Sequence, residues 1–407
     1  MQEGATGPGP AGGKTGGARR DNASFLGFAR PKGRAGIRNA LLVLGINGLI
    51  APPARRIARA LPGSKLVATP YGRGQLGPDK EVHFAQLVGL GAHPNVGATL
   101  VVGADRPTAE MVAEAIVARS GKQVAIVTLD DAHEDALALT ERGIRLGGTL
   151  VRAISAERRR PVPVSDLFIG IECGHSDATS GLVSNPLAGA VADRLVDRGG
   201  TAVVGETLEW LGAEHVLARR AAEASIGEAI VEAVVRREKA VAALGVDLLY
   251  NNPGYENVRG GLSSIEEKSL GAIAKAGSRP IRSVLPFAAE PQGSGLHVMD
   301  GPGFSPESLT GFAAAGAQLM LFTTGPGNSF CSLVAPTIKI SAHPDATRAL
   351  AEQVDFDASA VLLARATIED AADELFDHLV DVASGTATWG EIFAEGEECL
   401  FRSGGSF

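Results

Sequence analysis

TLVVGADRPTAEMVAEAIVARSGKQVAIV, residues 99–127, decides the fold class. Thr99–Val102 is a short run of apolar and β-branched residues that suits a strand buried on both faces. A helix-like stretch follows over Thr108–Ser120, and a second such run, Gln123–Val127, comes after it. Strand, helix, strand at this spacing is the βαβ unit, in which the two strands lie parallel and the helix covers one face. The same rhythm extends outward. Strands are predicted at Ala40–Leu44 and Lys65–Ala68, and helices at Ala54–Leu61, Lys80–Leu90 and Ala132–Arg142. The expected fold is α/β, with largely parallel, helix-covered, Rossmann-like sheets.

ERRRPVPVSD (Glu157–Asp166) breaks the rhythm, because Pro161 and Pro163 cannot continue a helix. It divides the chain into a first α/β domain over residues 23–157 and a second over 158–407, as expected for a length beyond which one hydrophobic core stops growing. Beyond the break, Leu167–Glu172 and Ala202–Val204 read as strands, and Pro186–Arg198, Ala213–Ala224 and Gly227–Ala243 as helices. Residues 251–261 and 291–306 read as Gly- and Pro-rich loops of the length that often carries function. Strands at Gln318–Thr323 and Thr337–Ile340 and a helix at Ile368–Ala383 close the pattern. Residues 1–22 hold Gly, Pro and Ala without large apolar side chains and are expected to be a disordered tail.

Composition excludes several classes. A formal net charge of -8 argues against a nucleic-acid partner, which needs a basic surface. No stretch is apolar for long enough to span a bilayer. The three cysteines, Cys173, Cys331 and Cys399, form no CxxC pair, so neither a disulfide framework nor a structural zinc site is expected, and the expected compartment is the cytoplasm.

Five segments could carry chemistry. Arg34 and Arg38, followed by Asn39, place two guanidiniums four residues apart that could converge on a carboxylate, or could form a basic surface turn. Glu172-Cys173-Gly174-His175-Ser176-Asp177 gathers a thiol, an imidazole, two carboxylates and a hydroxyl at a strand's carboxyl end, where α/β proteins bind ligands. The alternative is a polar turn with a half-buried cysteine. Glu206, with Glu209 beyond it, follows a strand and could act as base, metal ligand or helix cap. Asn257 opens a Gly-rich loop that runs into a helix carrying Lys268 in its first turn, where the dipole disfavours a cation. Thr323-Thr324-Gly325 with Lys339 resembles an anion cradle without the P-loop's ending.

In this order, GRAGIRN (33–39), ECGHSDATSG (172–181), NVRGGLSSIEEKSLGAI (257–273), LHVMDGPGFSPESLTG (296–311) and FTTGPGNSFCSLVAPTIKI (322–340) resemble the altronate/galactarate dehydratase family, which includes the large subunit of sulfolactate sulfo-lyase. The resemblance implies a lyase that removes water or a related group from a small hydroxy-carboxylic acid by β-elimination, assisted by a divalent metal, iron or manganese. On it, Arg34, Arg38, Asn39, Arg73, Asn257, Thr323, Thr324, Gly325 and Lys339 would hold the acid. Cys173, His175, Asp177, Glu206 and Lys268 would do the chemistry, with Cys173, Asp177 and Glu206 as metal ligands. A separate small β-domain subunit and a homo-oligomer are further expectations of the resemblance. The family's usual His-x-x-Gly-Cys and Gly-Cys-Glu elements are replaced by Thr69-Pro70-Tyr71-Gly72-Arg73 and Gly103-Ala104-Asp105. A histidine and two cysteines are thereby lost, which weakens the expectation of a metal and of a sugar-acid substrate. The competing possibilities are a non-catalytic acid-binding subunit and, last, a nucleotide-binding protein.

Overall fold

The computed structural model describes residues 23–72, 74–245 and 252–404. Residues 1–22 and Arg73, assigned above to a tail and to substrate binding, lie outside the described residues.

The fold is α/β, with two wholly parallel main sheets. The first has four strands in the order Lys65–Ala68, Ala40–Gly45, Val96–Gly103, Gln123–Thr128. Its helices follow from the local sequence. Over Arg106–Ser120, for example, the Asp105 side chain accepts from the Thr108 N–H at 2.9 Å, Pro107 occupies the first turn, and Gly121 closes the helix at φ 66°. These are the three terminal signals a helix of this kind uses. Asp105 is thus a helix cap.

The second sheet has seven strands, in the order Phe356–Asp357, Thr337–Ser341, Leu319–Thr324, Phe168–Cys173, Thr201–Val204, Gly295–Met299, Ile281–Leu285. The chain starts in the middle, at Phe168–Cys173, winds out one way through Thr201–Val204, and returns to the other side at Leu319–Thr324. A topological switch point therefore lies between Phe168–Cys173 and Leu319–Thr324, and the crevice beyond its carboxyl end is where doubly wound sheets bind ligands. Gly295–Met299 corrects the expectation of a loop over 291–306, and Ile281–Leu285 is a further strand absent from the reading above. GLHVM is buried along its whole length but too short, and too closely flanked by Gly and Pro, to show a pattern. Of residues 213–224, expected as one helix, Glu214–Ala218 form a short helix and Ala224 begins the next, Ala224–Ala243. The Pro-rich break forms a short strand, Arg160–Pro163, antiparallel to Ser24–Gly27, where proline costs no central ladder bond.

The two sheets share a core. Leu42, Leu44, Leu87 and Leu90 pack in one cluster with Phe312 and Phe322 from the second sheet's side. The helices Pro78–Ala92 and Ser305–Ala315 cross so closely that a Cβ on Gly89 would lie 2.1 Å from the Ala314 carbonyl oxygen. None of the described helices is long and apolar enough to cross a membrane.

Candidate active site

A cavity of about 670 Å³ opens at the switch point. Its walls come from the carboxyl ends of the central strands: Cys173 to Ser176, Glu206 and Glu209, Gly303 to Pro306, and Gly327 to Ser329. Asn252, Glu256, Asn257 and Lys268 complete it. A second cavity, about 620 Å³, lies beside the helix Ala51–Ala60 and carries Arg55, Arg59 and Lys65. None of the buried polar atoms lacking a partner lies in that second lining, whereas Glu206 Oε1 and Ser176 Oγ face the first. Buried groups without partners are rare and mark places where a ligand can complete the bonding. Chemistry rather than size selects the switch-point cavity.

Two of its residues hold left-handed backbone although neither is glycine: His175 at φ 57° and Glu206 at φ 59°. Such conformations cost on the order of 1–3 kcal/mol and persist where the surroundings enforce them, commonly at active sites. Contacts that hold the His175 loop are visible. His175 follows the end of its strand and its Nδ1 lies 3.0 Å from the Gly327 carbonyl oxygen. A carbonyl only accepts, so Nδ1 carries a proton, which leaves Nε2 as the nitrogen able to take one up. Asp177 supports this loop and does not line the cavity. Its carboxylate accepts from the Thr179 N–H at 2.8 Å and the Thr179 hydroxyl at 2.7 Å. A Cβ on Gly325 would stand 2.2 Å from the Asp177 carboxyl carbon, so that glycine is what lets the two loops meet.

Behind the cavity sits a buried charge cluster. The Lys275 ammonium bonds Glu172, lies 2.7 Å from Glu209 Oε2 and 3.2 Å from Cys173 Sγ. The Cys173 thiol donates to Glu209 Oε2 at 3.2 Å, and Ser308 donates to Glu172 at 2.7 Å. Lys268 reaches Glu209 Oε1 at 3.3 Å from the cavity side and also bonds Asn252. Burial alone would raise the Glu209 carboxyl, but Lys275 and Lys268 overcome it and bring it to about 2. Burial drives the Glu206 carboxyl well above the ordinary range, with Glu209 and Glu172 adding to it. Burial and the neighbouring Glu209 also push Cys173 far up, which holds it as a neutral thiol.

Glu172, Cys173 and Glu209 bring one ligand atom each within 4.8 Å of one another, a spacing that could hold a metal ion. This is not the expected set of Cys173, Asp177 and Glu206, because Asp177 is spent on its own turn. With Lys275 in place the cluster does not fit a metal: its ammonium already bonds all three donor side chains, and the thiol is not ionised.

Of the residues expected to hold the acid, Asn257 lines the cavity, but both ends of its amide are engaged, with the Gly254 N–H at 2.9 Å and the Ser176 carbonyl at 2.8 Å. Thr323, Thr324, Gly325 and Lys339 stand outside the lining. Thr323 donates to Asn185, the Thr324 hydroxyl is buried without a partner, and Lys339 bonds the Ser329 carbonyl at 2.8 Å, bracing the cavity wall from behind. Arg34, Arg38 and Asn39 are remote from it. Arg34 donates to the Asp166 carbonyl and the Thr201 hydroxyl at the opposite end of the sheet, over the Phe168 ring. Asn39 joins Arg30 to the Ile154 carbonyl. Arg38 pairs with Glu391 at 2.6 Å and donates to the Val382 and Thr386 carbonyls. An Arg38→Ala variant should therefore lose about 2 kcal/mol of stability in a denaturant titration while turnover stays near the parent's. A folded variant that had lost turnover would return Arg38 to the site.

Lys275 escaped the sequence reading because a lysine near a helix end is normally solvated. The available signal was its spacing of seven from Lys268, two helical turns along one face.

Residues 27–155 match the family model described as D-galactarate dehydratase/altronate hydrolase, second domain, and residues 164–406 match D-galactarate/altronate dehydratase, C-terminal. The chain is 35% identical to a (2R)-sulfolactate sulfo-lyase subunit beta of Chromohalobacter salexigens, over 93% of this chain and 97% of the relative. It is 32% identical to an altronate dehydratase of Bacillus subtilis, over 94% and 78%, and 30% identical to that of Escherichia coli, over 93% and 77%. The chain belongs to the D-galactarate/altronate dehydratase family.

Proposed function

We propose that this protein is a lyase that performs β-elimination on a small hydroxy-carboxylic acid in the switch-point cavity. The observation that carries this reading is the carboxyl of Glu206, which faces the cavity with one oxygen lacking any partner and which burial holds toward its neutral form. A group so placed is a proton donor waiting for an acceptor.

The residues supply the rest. Nε2 of His175 takes the proton from the carbon next to the substrate carboxylate. The charge that develops on that carboxylate meets the Lys268 ammonium, which Glu209 holds at the wall. Glu206 gives its proton to the departing hydroxyl on the following carbon, so the C–O bond breaks as water leaves. Because the carbon that lost its proton also bears a hydroxyl, an enol acid remains that becomes a keto acid. The iron or manganese implied by the resemblance has no part in these steps. The relatives are named for sulfolactate, altronate and galactarate. The substrate class proposed here is therefore an acid with a hydroxyl on the carbon next to the carboxylate and, on the following carbon, either a hydroxyl that leaves as water or a sulfonate that leaves as sulfite.

The test is incubation with these acids and detection of the keto acid. A His175→Gln variant should turn over about 10²-fold more slowly and lose exchange of the α-proton with deuterated solvent. Calorimetric binding without any turnover would instead favour a non-catalytic acid-binding subunit. A small β-domain partner belongs to this proposal, because the sulfo-lyase relative is named as a subunit. Full activity in the isolated chain would count against that partner.

A further inference from the structure

Metal-assisted elimination needs a cation that stays put beside the reacting acid. The Glu172–Cys173–Glu209 cluster has the donor atoms for one, yet a protein cation stands among them. Lys275 and the cluster form a closed network. Both oxygens of Glu172 accept bonds, one from Lys275 and the Cys173 N–H and the other from Ser308. Both oxygens of Glu209 accept as well, Oε1 from Lys268 and Oε2 from Lys275 and the Cys173 thiol. The sulfur itself accepts from Lys275 at 3.2 Å.

We propose that the ammonium of Lys275 fills the cation seat of this cluster, so that the site carries a built-in cation that cannot exchange, and that it acts on the cavity through Glu209. A metal ion bound to these atoms would lie about 2.0–2.3 Å from each. Lys275 Nζ, at 2.7 and 3.2 Å from two of them and bonded to the third, leaves no room for it and repels it. The ammonium also holds Glu209 as an anion, and Glu209 in turn holds Lys268 at the cavity wall. Lys275 is thus a positioning residue two contacts removed from the substrate. The chain Lys275–Glu209–Lys268 alternates in sign, so each member fixes the next.

The experiment is an anaerobic titration of the full chain with Co²⁺, read by the thiolate-to-cobalt charge-transfer band that a Cys173-bound ion would give. Wild-type protein should show no such band. Lys275→Ala should gain it, and the double variant Lys275→Ala/Cys173→Ser should lose it again. A band in wild-type protein that disappears in Cys173→Ser overturns the proposal outright, and this comparison does not depend on the lysine variant folding. A folded Lys275→Ala that still binds no Co²⁺ through Cys173 also overturns it, since something other than the ammonium would then exclude the ion. Neither reading depends on turnover, so failure of the lyase assignment would leave this result standing.

Discussion

Glu206→Gln is expected to lower kcat about 10³-fold without weakening the fold, which separates loss of a proton from loss of structure. Glutamine keeps the shape and the hydrogen-bonding reach of the acid but has no proton to give the leaving group. The pH dependence supplies a second signature. The folded protein raises the Glu206 pKa because burial, and then Glu209 and Glu172, disfavour the charged form. For a raised pKa the associated stability is fully present below the unfolded value, near 4.5, and is lost as pH rises through the folded value. Over that window the parent loses about 1.4 kcal/mol per pH unit that the glutamine variant does not. The variant should therefore match or exceed the parent in thermal stability at pH 8, and its advantage should shrink toward pH 4.5. Turnover by the parent should fall on the alkaline side as Glu206 gives up its proton, and the residual turnover of the variant should lack that limb. A glutamine variant with unchanged kcat would remove Glu206 from the acid role.

The expected residues that line the cavity are mostly those tied to strand ends. An alternation of short apolar runs with helical stretches implies parallel strands, parallel strands imply a crevice at their carboxyl ends, and ECGHSD follows such an end. The same logic, applied strictly, bears on Arg34 and Arg38: they precede the strand Ala40–Gly45 and so belong at amino ends, away from ligands. Their likeness to a carboxylate clamp rested on spacing, and spacing does not say which end of a sheet a segment occupies. Asp177 shows a different failure. Its chemistry suits a metal, but a short acidic side chain two residues before a threonine N–H also suits a local turn, and the turn is what forms. Lys275 was hidden for a third reason. Buried ionic clusters are assembled from distant segments, and each member alone resembles a solvated charge. The strain at His175 and Glu206 leaves no trace in composition, since any residue type can be forced into it by its neighbours.

Lys268→Met should reduce kcat by about 10³-fold, with the larger part of the effect in kcat rather than in KM. The substrate carboxylate carries one negative charge in the ground state and gains a second as the neighbouring proton leaves. An ammonium beside it therefore stabilises the transition state more than the bound acid. Methionine fills much of the same volume and removes only the charge, which makes it a cleaner probe than alanine. Two outcomes are separable by structure. If Lys268 serves only to neutralise Glu209, its removal leaves Lys275 still 2.7 Å from that carboxylate, and the fold and the turnover should both survive. If Lys268 meets the developing enediolate, turnover collapses while the denaturant midpoint moves little, because the buried Lys275 pair remains intact. Lys268→Arg refines the distinction. Arginine keeps the charge but replaces a compact ammonium by a broad planar fork, so it should restore part of the rate and raise KM as the fork intrudes on the cavity. Equal turnover in the methionine and parent proteins would sink the assignment of Lys268 as the cation of the reaction, and would leave its role confined to Glu209.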